Sequence, residues 1–345
     1  MLGIDWYINQ LRYKVNESDS IDVIWSAEQI EGAKMNYIRF KENPAIPETK
    51  YYDLYDMMKN YIGGKVKLDE QGDGSTEPTF PVHKVSVPVD KATVLANKTV
   101  NALDSVVSEL QIDIPKSALQ KNDLAVLNII AANKWKRPIY FTSPYGELGF
   151  GKYLRKDGLS YRLVPVENDE MNADWAINNM LNKFAFGNAD LKGVYYDEEN
   201  RRHLNTLRSA YAELAGYLAA KNRKEEARKV LNKVDKGMLE ENFAYGMVSR
   251  GNTHNRTSLL FLDACYRAED RALIAKVSAS IKKDLQQQIK YYNSLDGRNA
   301  ENMGEEKRIA ESYLGALDGM EKQYTTPKIM LPEVGNKVMQ DSSTK

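Results

Sequence analysis

The sequence predicts an α+β or α/β N-terminal domain followed by an all-α domain of tetratricopeptide-like helical repeats. Three observations carry this reading. Nine of the eleven prolines lie between Pro44 and Pro165, two lie at Pro327 and Pro332, and none lies between, so a long span is free to form unbroken helices. All four tryptophans, Trp6, Trp25, Trp135 and Trp175, fall in the first region. Charge divides at the same place: residues 1–199 carry 23 basic against 29 acidic side chains, and residues 200–345 carry 25 against 19. The break falls near 185–200, around Gly187 and Gly193. It gives a mixed domain over 1–190, a helical domain over 200–325 and an extended or disordered tail over 326–345.

In the first region Asp5 to Val15 reads as a helix, with Trp6, Ile8, Leu11 and Val15 roughly on one side. Tyr51 to Ile62 reads as another before the Gly63-Gly64 break. His83 to Val89 alternates apolar and polar residues as a half-buried strand does, and Pro88 assigns it to an edge or marks its end. Lys121 to Lys134 is a helix, with Leu124, Leu127, Asn128 and Ala131 at helical spacing. It leads through Trp135 and Pro138 into the apolar run Ile139-Tyr140-Phe141. Tyr161 to Val166 is a further strand, and Ala173 to Phe186 a helix. Between the second helix and the first strand, Asp69 to Pro78 is a polar, glycine-rich loop. Its start mimics a calcium loop, but Phe80 stands where the bidentate glutamate belongs, so a plain surface loop is expected.

The second region repeats a stripe. Leu204, Leu207, Tyr211, Leu214, Ala215 and Leu218 fall at three- and four-residue steps, and after a turn at Asn222-Arg223 so do Ala227, Leu231 and Val234. Tyr211 to Val234 match the relative spacings of a tetratricopeptide helix pair. Leu262, Tyr266, Ala275 and Ala279 echo Leu214, Leu218, Ala227 and Leu231. A terminal helix follows over Glu305 to Tyr324.

Composition excludes more than it assigns. Lysine plus arginine number 48 and aspartate plus glutamate 48, which leaves no basic excess for nucleic acid. The single cysteine, Cys265, permits no internal disulfide and sits between Leu262 and Tyr266 as a small buried residue would. No stretch reaches the roughly 20 apolar residues of a membrane span. The first residues carry no secretory signal, so a chain that truly starts at Met1 is expected in the cytoplasm.

Chemistry is equally sparse. His83, His203 and His254 stand at no metal-ligand spacing, and neither a metal nor a cofactor is expected. Gly146 to Tyr153 resembles a phosphate loop until Tyr153 replaces the serine or threonine that holds magnesium, so it reads as a glycine-rich turn. Glu28 and Glu31, Asp53 and Asp56, and Glu167, Asp169 and Glu170 are close in sequence but read as solvated faces. The 21 tyrosines are enough to supply sugar-stacking platforms, though most are expected in cores and interfaces.

Three segments in order resemble a known family. They are Leu2-Gly3-x-Asp5-Trp6-Tyr7-Ile8-x-Gln10-Leu11, the run from Lys121 to Phe141 with its Asn122-Asp123 and Trp135-x-Arg137-Pro138-Ile139-Tyr140 signatures, and Gly158-Leu159-x-Tyr161-Arg162-Leu163-Val164-Pro165. The chain resembles the C-terminal portion of bacterial multi-pass membrane proteins similar to protein O-mannosyltransferases, long described only as a domain of unknown function. The resemblance runs from residue 1 to about 190. It implies that the membrane part carries the transfer site, that this chain has no activity alone, and that it lies on the periplasmic side of the inner membrane. It further implies a role in binding or positioning an acceptor polypeptide, with the membrane-embedded part of the parent chain as the other partner. A stand-alone scaffold that binds a protein through the helical repeat is the alternative, and a soluble sugar or nucleotide enzyme a third.

No catalytic residue carries over. The matching positions that qualify as binding residues are Trp6, Arg137, Tyr140, Tyr161 and Arg162. Their structural reading sets Trp6 and Trp135 as packing residues between helix and sheet, Asp123 as a helix-start cap, and Arg137 and Arg162 as partners of carboxylates.

Overall fold

The structure, a computed structural model, describes residues 1–14, 17–43, 46–62, 68–69 and 76–325. The chain divides into two compact units, Met1–Asn179 and Met180–Lys345. The first mixes strands and helices; from about residue 198 the second is all helical.

In chain order the first unit runs α1 (Asp5–Leu11), α2 (Ala27–Ile30), β1 (Tyr37–Arg39), β2 (Tyr52–Asp53), α3 (Leu54–Met57), β3 (Leu68–Asp69), β4 (Thr76–Glu77), β5 (Lys84–Pro88), α4 (Lys91–Ala96), β6 (Glu109–Asp113), β7 (Ala118–Gln120), α5 (Lys121–Asn133), β8 (Tyr140–Phe141), β9 (Leu154–Asp157) and β10 (Ser160–Leu163). Helix α6 (Ala173–Asn182) follows. The strands form small separate sheets. β5 lies between β2, parallel, and β6, antiparallel. β10 lies between β8 and β9, both antiparallel. β1 pairs with β7, and β3 with β4.

Helix α5 is the central element. It is buried on nearly all sides, with Leu124, Leu127, Ile130 and Ala131 in one core with Trp25, Ile38, Leu54, Val85, Leu110 and Phe150. An all-round apolar helix must be enclosed, because no face of it is compatible with water. Asn128 sits in that core fully buried, and its side-chain oxygen accepts the Ile24 amide at 2.8 Å.

Several elements differ from the sequence reading. The segment expected to be one helix over Tyr51 to Ile62 starts as strand β2; Asp53 then caps α3, accepting the Asp56 amide at 2.9 Å, and a π-helical turn completes it over Met58–Ile62. β5 is central rather than half-buried: Val85, Ser86 and Val87 are all buried. Its proline stands at the strand end, where the missing amide costs little. α1 stops at Leu11, and Val15 and Gly63-Gly64 lie outside the described residues. So do the interior of the Asp69–Pro78 loop, residues 70–75, and the tail 326–345. The Gly146–Tyr153 segment is a turn: Gly149, at φ +82, packs so closely that a Cβ would lie 1.9 Å from the Asp113 carbonyl oxygen. A short 3-10 turn over Gly151–Tyr153 follows it, in place of the long helix a phosphate loop opens.

The second unit contains α7 (Glu198–Ala220), α8 (Lys224–Gly237), α9 (Thr253–Ala268), α10 (Arg271–Asn293), α11 (Gly297–Asn302) and α12 (Gly304–Thr325). Asp197 and Asp270 cap α7 and α10, accepting the amides of Asn200 at 2.8 Å and Leu273 at 3.1 Å. α7 packs on α8 and on α9, α9 on α10, and α10 on α12. The first stripe is buried at Leu204, Tyr211, Leu214, Ala215, Leu218, Ala227, Leu231 and Val234, with Leu207 half-buried. Cys265 is fully buried, and burial pushes its thiol well up. The echo in α10 fails: Ala275 and Ala279 are exposed, and Leu273, Val277, Ile281 and Leu285 form the buried stripe instead. Large aliphatic side chains at four-residue steps gain more from burial than two alanines, and so they set the face.

Candidate functional site

Several of the family-matching residues of the first unit lie along α5 and the turn that leads from it into β8. Asp123 closes the start of α5. Buried, it accepts the Gln120 amide at 3.1 Å, the Lys116 ammonium with both oxygens at 3.0 Å, and the Tyr145 hydroxyl at 3.2 Å. At the other end of the helix two successive non-glycine residues, Lys134 and Trp135, adopt left-handed conformations with φ of 45 and 61. Such backbone costs about 1–3 kcal/mol per residue and persists only where its surroundings over-determine it. Here they do. The Trp135 indole is buried and donates to the Pro88 carbonyl at 2.8 Å, while the Asn97 side chain donates to the Trp135 carbonyl. The Asn133 side chain brackets Arg137, accepting its amide at 3.1 Å and donating to its carbonyl at 2.6 Å. The Arg137 guanidinium reaches the carbonyls of Ser20 at 3.0 Å and Asp19 at 3.4 Å.

The folded-back chain leaves a hollow of about 130 Å³ walled by Ile21, Ile129, Pro138 and Ile139, with Asn133 and Arg137 at its polar side. Lys136, also on its rim, pairs with Asp22 at 2.9 Å. β8 then joins β10. The register sets Tyr140 opposite Arg162 and Arg162 opposite Arg155, so these three share one sheet face; Phe141, Tyr161 and Lys156 share the other.

On the first face Arg155 is buried and gathers the carboxylates of Asp157 at 3.1 Å, Asp169 at 3.2 Å and Asp104 at 3.5 Å. Burial nevertheless holds the Asp157 carboxyl above its usual range, outweighing the pull of Arg155. Arg162 is left with the Thr99 hydroxyl at 3.4 Å and the Tyr140 ring, whose centre lies 5.6 Å from its guanidinium carbon.

Of the five residues singled out in the sequence, the structure brings together Tyr140 and Arg162, with Arg137 just before them. Tyr161 lies on the opposite face, with the Lys156 ammonium 5.5 Å from its ring centre. Trp6 stands apart on α1, 62% exposed, and so packs no helix on a sheet. It lies edge-on to Tyr7, on the side of α1 opposite the buried Ile8. Trp135 and Asp123 fill their expected structural roles; Arg137 bonds to carbonyls, and Arg162 to a hydroxyl and a ring while its charge also acts on the Asp157 carboxylate. The nearby acids are already engaged by Arg155.

An open cleft of about 510 Å³ elsewhere in this unit is lined by Glu48, His83, Lys84, Asp113 and Lys116. Its acids are spent internally: Glu48 accepts the amides of His83 at 2.6 Å and Lys84 at 3.2 Å, and Asp113 accepts the Tyr51 hydroxyl at 2.8 Å. The His83 ring is stacked on Phe40 at 3.9 Å. Such an arrangement ties one oxygen of each acid into the local structure.

The second unit holds a buried polar cluster that stripe reasoning overlooked. Arg208, fully buried, donates to the carbonyls of Phe243 at 2.8 Å and Ala244 at 3.0 Å, and its guanidinium lies over the rings of Phe243 and Tyr245 at 4.3 and 4.5 Å. Burial lowers its pKa to about 10. His254, also buried, has Nε2 at 2.8 Å from the Ala244 carbonyl and 3.3 Å from Arg208 Nη1. Burial, with Arg208 next to it, lowers its pKa to about 4. The available signal was an arginine at a stripe position, since Leu204, Arg208, Tyr211 and Ala215 follow one another at helical steps.

Comparison with family models matches residues 1–183 to TMEM260-associated domain 2. The chain belongs to this family. Comparison with curated proteins and with solved structures gives no match. The TMEM260-associated region thus contains the whole α5–β8 turn and both faces of the β8–β10–β9 sheet. No helix among the described residues is long and apolar enough to cross a membrane.

Proposed function

We propose that this chain is the extracytoplasmic accessory part of a membrane protein similar to protein O-mannosyltransferases, inactive in transfer by itself, and that it holds an acceptor polypeptide beside the membrane site. The observation that carries the reading is the family membership of residues 1–183. Two features of the molecule support it. The family-matching Arg137, Tyr140 and Arg162 converge on a partly exposed turn and sheet face, where charged and aromatic groups remain available to a ligand. The second unit packs long helices side by side, an architecture suited to gripping polypeptide. On this reading the chain lies on the periplasmic side of a bacterial inner membrane, continuous with the membrane-embedded part of its parent.

The test has two steps. The coding sequence upstream of Met1 is expected to encode transmembrane helices in frame. Sugar transfer by the full-length parent to a secreted acceptor is expected to fall when residues 1–345 are removed and the membrane part still inserts. An in-frame stop directly upstream, or unchanged transfer after removal, refutes the proposal.

A further inference from the structure

We infer that residues 239–249 form an acid-released strap: a proton on His254 frees this segment from Arg208 while the helices on either side stay folded. The inference concerns the second unit alone and does not depend on the accessory reading.

The strap runs from the end of α8 to the 3-10 turn Arg250–Asn252 that leads into α9. It contains no helix or strand, yet Phe243 and Tyr245 within it are buried. Side chains hold its backbone in place. Arg208 donates to the Phe243 and Ala244 carbonyls, Ser280 Oγ accepts the Gly246 amide at 3.0 Å, and the Asn255 side chain accepts the Met247 amide at 3.3 Å. Asn242 of the strap donates to the Ala189 and Leu191 carbonyls at 3.0 and 2.6 Å. A helix keeps its own backbone bonds when such contacts are lost, and an irregular segment does not, so the strap yields first.

Its weak point is the Ala244 carbonyl. Arg208 Nη1 lies 3.0 Å from that oxygen and His254 Nε2 2.8 Å, with 3.3 Å between the two nitrogens. A proton on His254 therefore sets two buried cations side by side on one neutral acceptor, and like charges repel strongly away from water. No carboxylate lies within ion-pair distance of either group among the described residues.

The acids on the elements around His254 are engaged elsewhere. Asp235 of α8 accepts the Tyr245 hydroxyl at 2.9 Å and the Lys276 ammonium at 2.6 Å. Asp284 of α10 accepts the Asn255 and Gln288 amides at 2.7 and 2.6 Å, and Glu306 of α12 accepts the Gly251 amide at 3.2 Å. Glu240 of the strap acts on Arg208 only through its field, while Arg201 of α7 adds a further positive charge that opposes protonation. Turning the strap outward admits water to both cations and removes the conflict. Burial and Arg208 lower the pKa of His254 in the closed arrangement from 6.5 to about 4, so the open arrangement binds the proton more readily and falling pH favours it.

The test uses the 345-residue chain and hydrogen–deuterium exchange read by mass spectrometry at pH 7 and pH 4.5, with labelling times scaled for slower intrinsic exchange in acid. The amides of Leu239, Phe243, Gly246 and Met247 are hydrogen-bonded and report the strap. Their protection is expected to fall about tenfold or more on going to pH 4.5 and to be insensitive to low urea, because opening a strap exposes little surface. α7 and α9 are expected to stay about tenfold or more better protected than the strap and to exchange with the steep urea dependence of whole-unit unfolding. In His254→Gln, strap protection is expected to change by less than about threefold between the two pH values. Strap and helices that exchange together with one urea dependence, an equal fall in His254→Gln, or an unchanged strap in the wild type overturns the inference. If the variant fails to fold, the ring signals of His254 in the wild type, followed by nuclear magnetic resonance, decide the same point. Titration of the ring in step with the loss of strap protection supports the inference, and a ring that stays neutral through that loss overturns it.

Discussion

Protonation of His254 is expected to weaken the second unit by an amount that can be worked out beforehand. In the folded chain its pKa is lowered to about 4 from 6.5 by burial and by the Arg208 charge. The unfolded chain therefore takes up this proton first as pH falls. The contribution to stability is complete above about pH 6.5 and is lost progressively down to about pH 4. At about 1.4 kcal/mol per unit the full loss is about 3 kcal/mol, and the part falling between pH 7 and pH 5 is about 2 kcal/mol. The perturbation is His254→Gln, which keeps an amide donor near the Ala244 carbonyl but cannot titrate. The assay is urea unfolding at both pH values, followed by far-UV circular dichroism for the long helices and by tryptophan fluorescence. All four tryptophans precede residue 180, so fluorescence reports the first unit and serves as an internal control. Wild type is expected to lose about 2 kcal/mol more than His254→Gln in the dichroism transition, with the fluorescence transition moving alike in both. Equal losses in the dichroism transition would refute the assignment of the buried neutral histidine.

Two further substitutions probe the first unit. Gly149→Ala forces a Cβ to 1.9 Å from the Asp113 carbonyl oxygen at a positive φ, and is expected to destabilise the unit by about 3 kcal/mol or more, read from the fluorescence transition. Asn128→Leu strands the Ile24 amide in the core and is expected to cost about 1–3 kcal/mol on the same readout.

What could be read in the sequence divides by range. α5 and the stripe of α7 and α8 were legible because helical periodicity is local and their apolar faces are long. β5 was legible as a strand, but its central place was not, because that depends on β2 and β6 arriving from elsewhere in the chain. β1 and β7 pair across about eighty residues through three positions each, too few to leave a period. The same limit governs the site. Arg137, Tyr140 and Arg162 were found through family segments and not through any spacing of their own. That Tyr161 and Arg162 cannot share a face follows from strand alternation alone. Ile21, which walls the hollow, and Thr99, which holds Arg162, come from loops distant in sequence, and no local pattern connects either to β8. In α10 the failure was of weighting: two alanines were matched to a repeat while larger side chains two residues earlier determined the buried face.

The bonds that hold Lys134 and Trp135 in left-handed conformations reach back to Asn97 and Pro88, at the ends of α4 and β5. The direction in which β8 leaves the turn is therefore a property of the whole unit. A fragment limited to residues 121–141 keeps the letters of the family segment but loses the two contacts that make its backbone affordable, and relaxes toward ordinary helix or coil. Grafting the segment onto another protein transfers the sequence without the turn. For the same reason a disturbance at the end of β5, far from the hollow in sequence, reaches the turn before β8 through the Trp135 hydrogen bond to Pro88.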